Sequence, residues 1–266
     1  MNHPQQRAAL VVGHPGHELM VHGWLEATRP LVFVLTDGSG RTNQSRLGST
    51  TKILERAGAQ TGSIYGRLTD AAAYAAILNH ELDLFINLAG ELAVEFVQEQ
   101  IDFVAGDALE GYNPMHDVCR LIINAAVTAA RRAHAREIAN FEFSLVNESA
   151  AASEPPAPNE IRLQLDRAAL ARKISLAHGY AELAGEVSSA LSKASVDAFR
   201  VERLRPVEPE RAPCGGYEKP FYEQYGERQV AAGHYTRVLR YDEHIAPLAA
   251  ALRSETPVRE QRKRSV

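Results

Sequence analysis

Two histidines near the start of the chain, His14 and His17, are spaced so that they can act together. They lie in ALVVGHPGHELMVHGWLE (residues 9–26), directly after an apolar run that is typical of a buried strand. Pro15 suits the first position of a helix, and Gly16 lets another group approach the backbone closely. Two imidazoles one helical turn apart can converge at the carboxyl end of a strand, where open α/β folds bind ligands. Spacing alone leaves two interpretations open: a metal site, or a turn that carries surface histidines.

A third histidine favours the metal site. His116 follows another strand and a polar loop in GDALEGYNPMHDVCR (residues 106–120) and opens a helix, so we expect it at the same edge of the sheet. Three neutral imidazoles that leave a fourth position open are a known catalytic arrangement for zinc. A phosphate-binding loop is the alternative for GHPG (13–16), but the pattern G-x-G-x-x-G is absent and no Walker lysine follows.

These motifs resemble those of the PIG-L/LmbE-like metal-dependent N-deacetylases. The first family signature is a strand followed by His-Pro-Asp-Asp-Glu, and this chain has His-Pro-Gly-His-Glu at 14–18. The second is a strand, an Asp and a Gly-Tyr-Gly-His-Pro-Asp-His-like run, matched here by Asp107 and EGYNPMH (110–116). The similarity covers residues 8–136 and continues weakly through 170–180. It implies an LmbE-like fold with a metal bound by His14, His17 and His116.

The chain departs from the family at the positions that transfer protons. Gly16 occupies the position of the family's general base, and Asn113 matches a histidine that assists the tetrahedral intermediate. An asparagine can donate a hydrogen bond to an oxyanion, but it cannot shuttle a proton. His17 replaces a carboxylate ligand, and imidazole suits zinc well. The resemblance therefore implies that the ligand set is kept while both proton-transfer groups are missing.

Other polar residues are candidates to complete the site. Asp37 and Asp107 lie at strand ends on the same edge of the sheet, and Glu110 precedes His116. Each either takes a catalytic role or orients a metal-bound histidine or a loop. Glu18 is expected to bond the turn. Residues expected to contact a sugar-like substrate are Arg46, Tyr112, Tyr222 and His234, with Tyr225 and Tyr235 nearby; the alternative is that the segment 217–235 serves packing or an interface.

Alternating apolar and amphipathic segments predict an α/β fold, with a Rossmann-like, mostly parallel sheet and helices on both faces. Right-handed crossovers then bring the carboxyl ends of the strands to one edge. Strands are expected at 8–12, 30–38, 62–65, 82–89, 102–107, 142–147, 161–165 and 199–207. Helices are expected at 17–28, 46–58, 70–80, 91–100, 115–136 and 221–230, and from about 242, and one or two helices are expected over 167–194, with loops at 148–160 and 206–220.

Composition sets limits on the class of protein. The 266 residues are 45% hydrophobic and 23% charged, with a net charge of −4, which gives no electrostatic reason to bind nucleic acid or an anionic membrane. No apolar run approaches the roughly 18 residues that a membrane helix needs, and no signal-peptide pattern is present. Cys119 and Cys214 are too few for a disulfide framework. We expect a cytoplasmic protein with one domain over 1–252 and a disordered tail over 253–266, and homo-oligomer formation is compatible with the sequence.

The resemblance, together with the three histidines, implies a metal-dependent hydrolase acting on an N-acyl, sugar-linked amide. Zinc held by His14, His17 and His116 would polarise the carbonyl and lower the pKa of a bound water from about 15.7 towards roughly 7. Loss of a general base typically slows such a reaction by a factor of about 10² to 10⁴. Two alternatives remain: a non-catalytic protein that keeps the metal-binding or glycan-binding cleft, and different chemistry, such as oxidation, if the metal is Fe²⁺.

Overall fold

A computed structural model of the chain describes residues 6–40, 42–134, 136–146, 157–207 and 219–255. Its strands are β1 (Ala8–Val12), β2 (Leu31–Thr36), β3 (Gln60–Leu68), β4 (Phe103–Asp107), β5 (Ala139–Phe143), β6 (Ile161–Gln164) and β7 (Val201–Pro206). Its α-helices are α1 (His22–Thr28), α2 (Leu47–Ala57), α3 (Asp70–Leu78), α4 (Leu82–Gln98), α5 (Pro114–His134), α6 (Arg167–His178), α7 (Ala184–Lys193), α8 (Phe221–Ala231) and α9 (Ala246–Glu255). Short 3₁₀ helices cover His17–Val21, Ala181–Leu183 and Val196–Arg200, and a π-helical turn covers Tyr241–Ile245.

The strands form one sheet in the order β3-β2-β1-β4-β5-β7-β6. The first five strands in that order run parallel, whereas β7 is antiparallel to β5, and β6 is antiparallel to β7. The prediction of a mostly parallel α/β sheet is confirmed. Because β1 pairs with both β2 and β4, the carboxyl ends of these three strands lie side by side.

The sheet separates two hydrophobic cores, and β1 shows why. Its residues are all buried, and alternate side chains point to opposite faces. Ala9 and Val11 join the core under α4 and α5, while Leu10 and Val12 join the core under α1 and α2. A strand buried on both faces has the continuous apolar sequence seen here.

One predicted strand is wrong. Residues 82–89 form the first half of α4, which runs without a break to Gln98 and absorbs the helix predicted at 91–100. A short apolar run fits a buried strand and a buried helix equally well. Here the buried positions recur at helical spacing well beyond 89, with Leu92, Ala93 and Phe96 facing the core.

The remaining boundaries agree with expectation to within a few residues, apart from β3 and β5. The strand predicted at 62–65 extends over Gln60–Leu68, and the strand predicted at 142–147 lies at Ala139–Phe143. Helix α9 reaches Glu255, so the first residues of the predicted tail belong to that helix. The rest of the tail and most of the two predicted loops lie outside the described residues. Across the described ranges, no helix has the length and hydropathy required to span a bilayer.

Candidate functional site

The structure brings His14, His17 and His116 together at the edge of the sheet formed by β1, β2 and β4. The ring centroids of His14 and His17, and of His14 and His116, are 5.3 Å apart. The centroids of His17 and His116 are 4.6 Å apart. His14 and His116 are buried and His17 is partly buried. Three rings therefore share one small, largely water-excluded space, as the strand-end positions predicted.

The contacts of His14 fix its tautomer. Nδ1 lies 2.8 Å from Thr36 Oγ1 and 3.1 Å from Asp70 Oδ1. Because the Thr36 hydroxyl donates to the Gly13 carbonyl, its oxygen is left to accept from the imidazole. His14 Nδ1 therefore carries the proton, and Nε2 keeps a lone pair. Nε2 is buried and has no hydrogen-bond partner within the described residues.

His17 is held in the same way by Asp107. Its Nδ1 lies 3.0 Å from both carboxylate oxygens of Asp107, which is fully buried at the end of β4. Asp107 also accepts a hydrogen bond of 2.8 Å from the Gly13 backbone N–H. A carboxylate that accepts from Nδ1 fixes the orientation of the ring and leaves the lone pair of Nε2 free to bind a metal. Metal-bound histidines commonly have such a carboxylate partner.

His116 lies in the first turn of α5, and its environment keeps it neutral. Burial, with smaller electrostatic contributions from His17 and His14, holds the pKa of His116 well below its ordinary value. Its Nδ1 is buried and has no hydrogen-bond partner among the residues that the structure describes. A buried polar atom in this situation is uncommon in native proteins and calls for an explanation.

The loop between His14 and His17 has a conformation that depends on glycine. Gly16 has φ of 105°, a region that residues with a Cβ atom rarely adopt. A Cβ atom at this position would lie 2.4 Å from Cδ1 of Leu183. The Gly16 N–H donates to the buried carboxylate of Glu18, which also accepts from Thr50. Glu18 thus bonds the turn, as the sequence predicted.

Candidate catalytic residues at this edge are engaged in local contacts. Asp37 accepts from the Ser39 N–H in a tight turn after β2. Asn113 caps α5, because its Oδ1 accepts a hydrogen bond of 2.8 Å from the Met115 N–H. Glu110 accepts from the Ser144 hydroxyl and the Leu145 N–H, in the loop before α5.

The four candidate substrate contacts lie on different elements and differ in burial. Arg46 precedes α2 and pairs loosely with Glu186, with 3.9 Å between the charged atoms. Tyr112 is exposed and stacks on the ring of Phe221. Tyr222 is buried in the core under α4 and α5, and His234 lies exposed after α8.

Sequence reasoning missed the residues behind and beside His14. Asp70 and Thr36 bind its Nδ1, and Tyr74 donates to Asn113. Burial raises the pKa of Asp70, but the hydrogen bonds and charge of His14 outweigh it and hold that pKa below its usual range. Asp70 is the first residue of α3, two positions after β3 ends, whereas the predicted strand ended at 65, so no strand-end signal marked Asp70 in the sequence.

No group of three or more His, Cys, Asp or Glu side chains within the described ranges has the donor geometry of a formed metal site. The structure therefore gathers the three imidazoles and orients two of them, and the assignment of a ligand set belongs to the proposal below.

Comparisons with known proteins identify the fold. No family model matches the chain, and no curated protein does either. Among solved structures, the deacetylase Dbv21, which acts on the pseudoaglycone of the antimicrobial A40926, aligns with a TM-score of 0.53 and 16% identity, over 79% of this chain and 100% of that one. A deacetylase of teicoplanin biosynthesis in complex with teicoplanin aligns with a TM-score of 0.51 and 12% identity, over 76% of this chain and 100% of that one. The chain thus shares the α/β fold of these two solved structures.

Proposed function

We propose that this protein is a metal-dependent hydrolase that removes the acyl group from an N-acylated, sugar-linked small molecule, with His14, His17 and His116 as the metal ligands. The observation that carries the proposal is the orientation of His14 and His17. Asp70 and Asp107 each hold an imidazole by Nδ1, so that the opposite nitrogen of each ring keeps its lone pair.

The dimensions of the cluster support a single ion. Imidazoles bound to one tetrahedral zinc at Zn–N distances of about 2.0–2.1 Å would have ring centroids about 5 Å apart. The observed separations are 5.3, 5.3 and 4.6 Å. A bound ion would also explain why His14 Nε2 and His116 Nδ1 are buried without partners in the described structure. The ring separations and the two partnerless nitrogens support the proposed ligand set, although the three rings do not yet have the donor geometry of a formed site.

The residues around the cluster determine how well it would work. A divalent ion bound there supplies a Lewis acid that polarises the amide carbonyl and makes water more acidic. Asn113, in the same turn as His116, has an amide N–H available for the developing oxyanion. The nearby carboxylates of Asp70 and Asp107 are already committed to imidazoles, so neither takes the role of the family's general base. We therefore propose slow hydrolysis relative to an enzyme that has that base.

The fold likeness supports the proposed reaction type. Both aligned structures are deacetylases, one for the A40926 pseudoaglycone and one in complex with teicoplanin. An N-acyl group on a small molecule is the chemistry that these proteins and a three-histidine Lewis-acid site have in common.

Metal analysis of the purified protein is the first test. We expect about one zinc ion per chain in the wild type and in His178→Ala, which alters an exposed histidine. His17→Ala should remove most of the metal. Equal metal content in both variants would overturn the ligand set, and iron in place of zinc would redirect the search towards oxidation. With zinc restored, release of acetate from a panel of N-acetylated sugars and glycosides then tests the reaction.

The carboxylates behind the histidines provide a sharper test of the site. Asp107→Asn keeps an oxygen for the Gly13 N–H but weakens the hold on His17 Nδ1. Zinc affinity, measured by competition with a chromophoric chelator, should fall by about 10- to 100-fold. Asp166→Asn is the matched control, because Asp166 caps α6 and asparagine caps equally well. An unchanged affinity in Asp107→Asn would count against the metal site.

A non-catalytic binding protein is the second candidate. It is favoured by Gly16, because Leu183 fills the space next to the position where the family carries its base. If zinc binds but no amide is cleaved, calorimetry with N-acetylated sugars distinguishes the two candidates: a measurable Kd without turnover supports recognition alone.

A further inference from the structure

Asn113 is held in one orientation by two hydrogen bonds to the same atom. Its Oδ1 lies 2.8 Å from the Met115 backbone nitrogen and 2.9 Å from the Tyr74 hydroxyl oxygen. A backbone N–H can only donate, so the atom it meets must be the amide oxygen and not the amide nitrogen. The side chain is therefore fixed with its NH₂ group directed away from both contacts.

Tyr74 is suited to be the second donor. Burial, with smaller contributions from Asp70, Tyr235 and Tyr225, raises the pKa of Tyr74 above its ordinary value, so the phenol stays protonated. One of these electrostatic neighbours of Tyr74, Asp70, also contacts the histidine cluster. Asp70 holds the ring of His14, and the Asn113 carbonyl accepts from the His116 N–H. The Asn113 backbone thus joins the turn that carries His116, and its partner Tyr74 lies in the electrostatic environment of Asp70.

We propose that Tyr74 is a positioning residue, which by donating to Asn113 Oδ1 fixes the Asn113 NH₂ group as the hydrogen-bond donor for the carbonyl oxygen of the substrate. The inference rests on the proposed hydrolase function for the identity of that oxygen. Asn113 is partly buried, and within the described residues no acceptor engages its Nδ2. A donor that is oriented before the reaction stabilises developing charge without reorganisation.

Two substitutions separate positioning from folding. Tyr74→Phe removes the hydroxyl and keeps the ring. Asn113→Asp keeps an oxygen for Met115 and Tyr74 and is an equally good helix cap, but it has no N–H to offer. Tyr65→Phe is the matched control, because its hydroxyl pairs with Thr51 on α2 at 2.9 Å.

The first readout needs no activity. In ¹⁵N–¹H spectra of the full-length protein, the side-chain NH₂ pair of Asn113 is assigned by its loss in Asn113→Asp. We expect Tyr74→Phe to shift and broaden this pair and Tyr65→Phe to leave it unchanged. An unaltered pair in Tyr74→Phe overturns the inference, whether or not the protein proves to be a hydrolase.

The second readout uses the zinc-loaded protein and its best N-acetylated substrate. We expect kcat to fall about two- to tenfold in Tyr74→Phe, the effect of one neutral hydrogen bond, with KM and zinc content unchanged. In Asn113→Asp the loss should reach about 10²- to 10³-fold. A wild-type kcat in Tyr74→Phe overturns the inference. If the wild type itself cleaves no substrate, the proposed function fails, and the spectra alone decide the role of Tyr74.

Discussion

At the scale of single residues, the types of side chain predicted the histidine cluster but not the residues that hydrogen-bond to His14. His14, His17 and His116 each follow a strand end, and in a parallel sheet those ends meet. Asp70 and Thr36 are 56 and 22 positions away from His14 along the chain. Their pairing depends on the register of β2 and β3 beside β1, and no local pattern encodes it.

Gly16 illustrates a residue whose role is set by backbone and packing. Gly16→Ala places a Cβ atom against Leu183 and forces φ of 105° on a residue that resists it. We expect the free energy of unfolding to fall by about 1–3 kcal/mol, measured by urea denaturation. The same geometry implies that Gly16→Asp would strain the loop rather than supply a base.

The control substitution, Gly185→Ala, should change the free energy of unfolding in the opposite direction. Gly185 lies inside α7 with no atom within 4 Å of an added Cβ. Gly185→Ala should therefore raise stability by about 0.5–1 kcal/mol. Equal effects of the two alanines would contradict the strain argument.

At the scale of elements, amphipathic helices and buried strands were predictable wherever length and period agreed. The failure at 82–89 arose because an apolar run of eight residues contains too little periodicity to separate a strand from α4. Likewise, nothing in the sequence indicated that β7 would run antiparallel to β5, because that direction is decided by the pairing of distant segments.

A buried ion pair joins three elements that are distant in sequence. Lys173 on α6 and Glu202 on β7 are 2.9 Å apart, with 5% and 1% of their side chains exposed. Glu202 also accepts from the backbone of Gly23 and Trp24 at the start of α1, and Lys173 donates to the Met20 carbonyl. This network holds the helix that follows His17.

Removing one member of this pair should be costly. Lys173→Met leaves a buried carboxylate without its cation, and we expect the free energy of unfolding to fall by about 3–5 kcal/mol. The adjacent Arg172 pairs with Glu26 on the surface, so Arg172→Met should have a much smaller effect. Chemical denaturation of both variants tests this, and similar losses would show that burial of the pair is irrelevant.

At the scale of the whole molecule, stability should depend on pH through histidines that fold in the neutral form. Burial lowers the pKa of His22 below 6.5, with smaller and opposing contributions from Glu26 and Glu202. The unfolded chain then takes up a proton before the folded one does. This contribution is complete above about pH 6.5 and is lost as the pH falls towards the folded-state pKa.

The contribution of His22 is isolated by comparing variants rather than from the stability of the wild type alone. Burial raises the pKa of Asp117 to about 7, so protonation of Asp117 stabilises the folded protein as the pH falls and opposes the contribution of His22. Relative to the wild type, His22→Leu should gain stability as the pH is lowered from about 7.5 to about 5.5. His178→Leu, at an exposed position, should show no such trend. Urea unfolding of the metal-free proteins at each pH provides the measurement.

The contacts of Glu202 and Lys173 limit the order in which parts of the growing chain can reach their folded positions. Lys173 lies 153 residues after Met20, and Glu202 lies 179 residues after Gly23. At about 5–20 residues per second, the ribosome needs roughly 10 to 35 seconds to cover that interval. During that time, helix α1 and the loop that carries His14 and His17 exist without Lys173 and Glu202. This segment is therefore among the last to be locked, because the side chains that fix it follow 153 and 179 residues later in the chain.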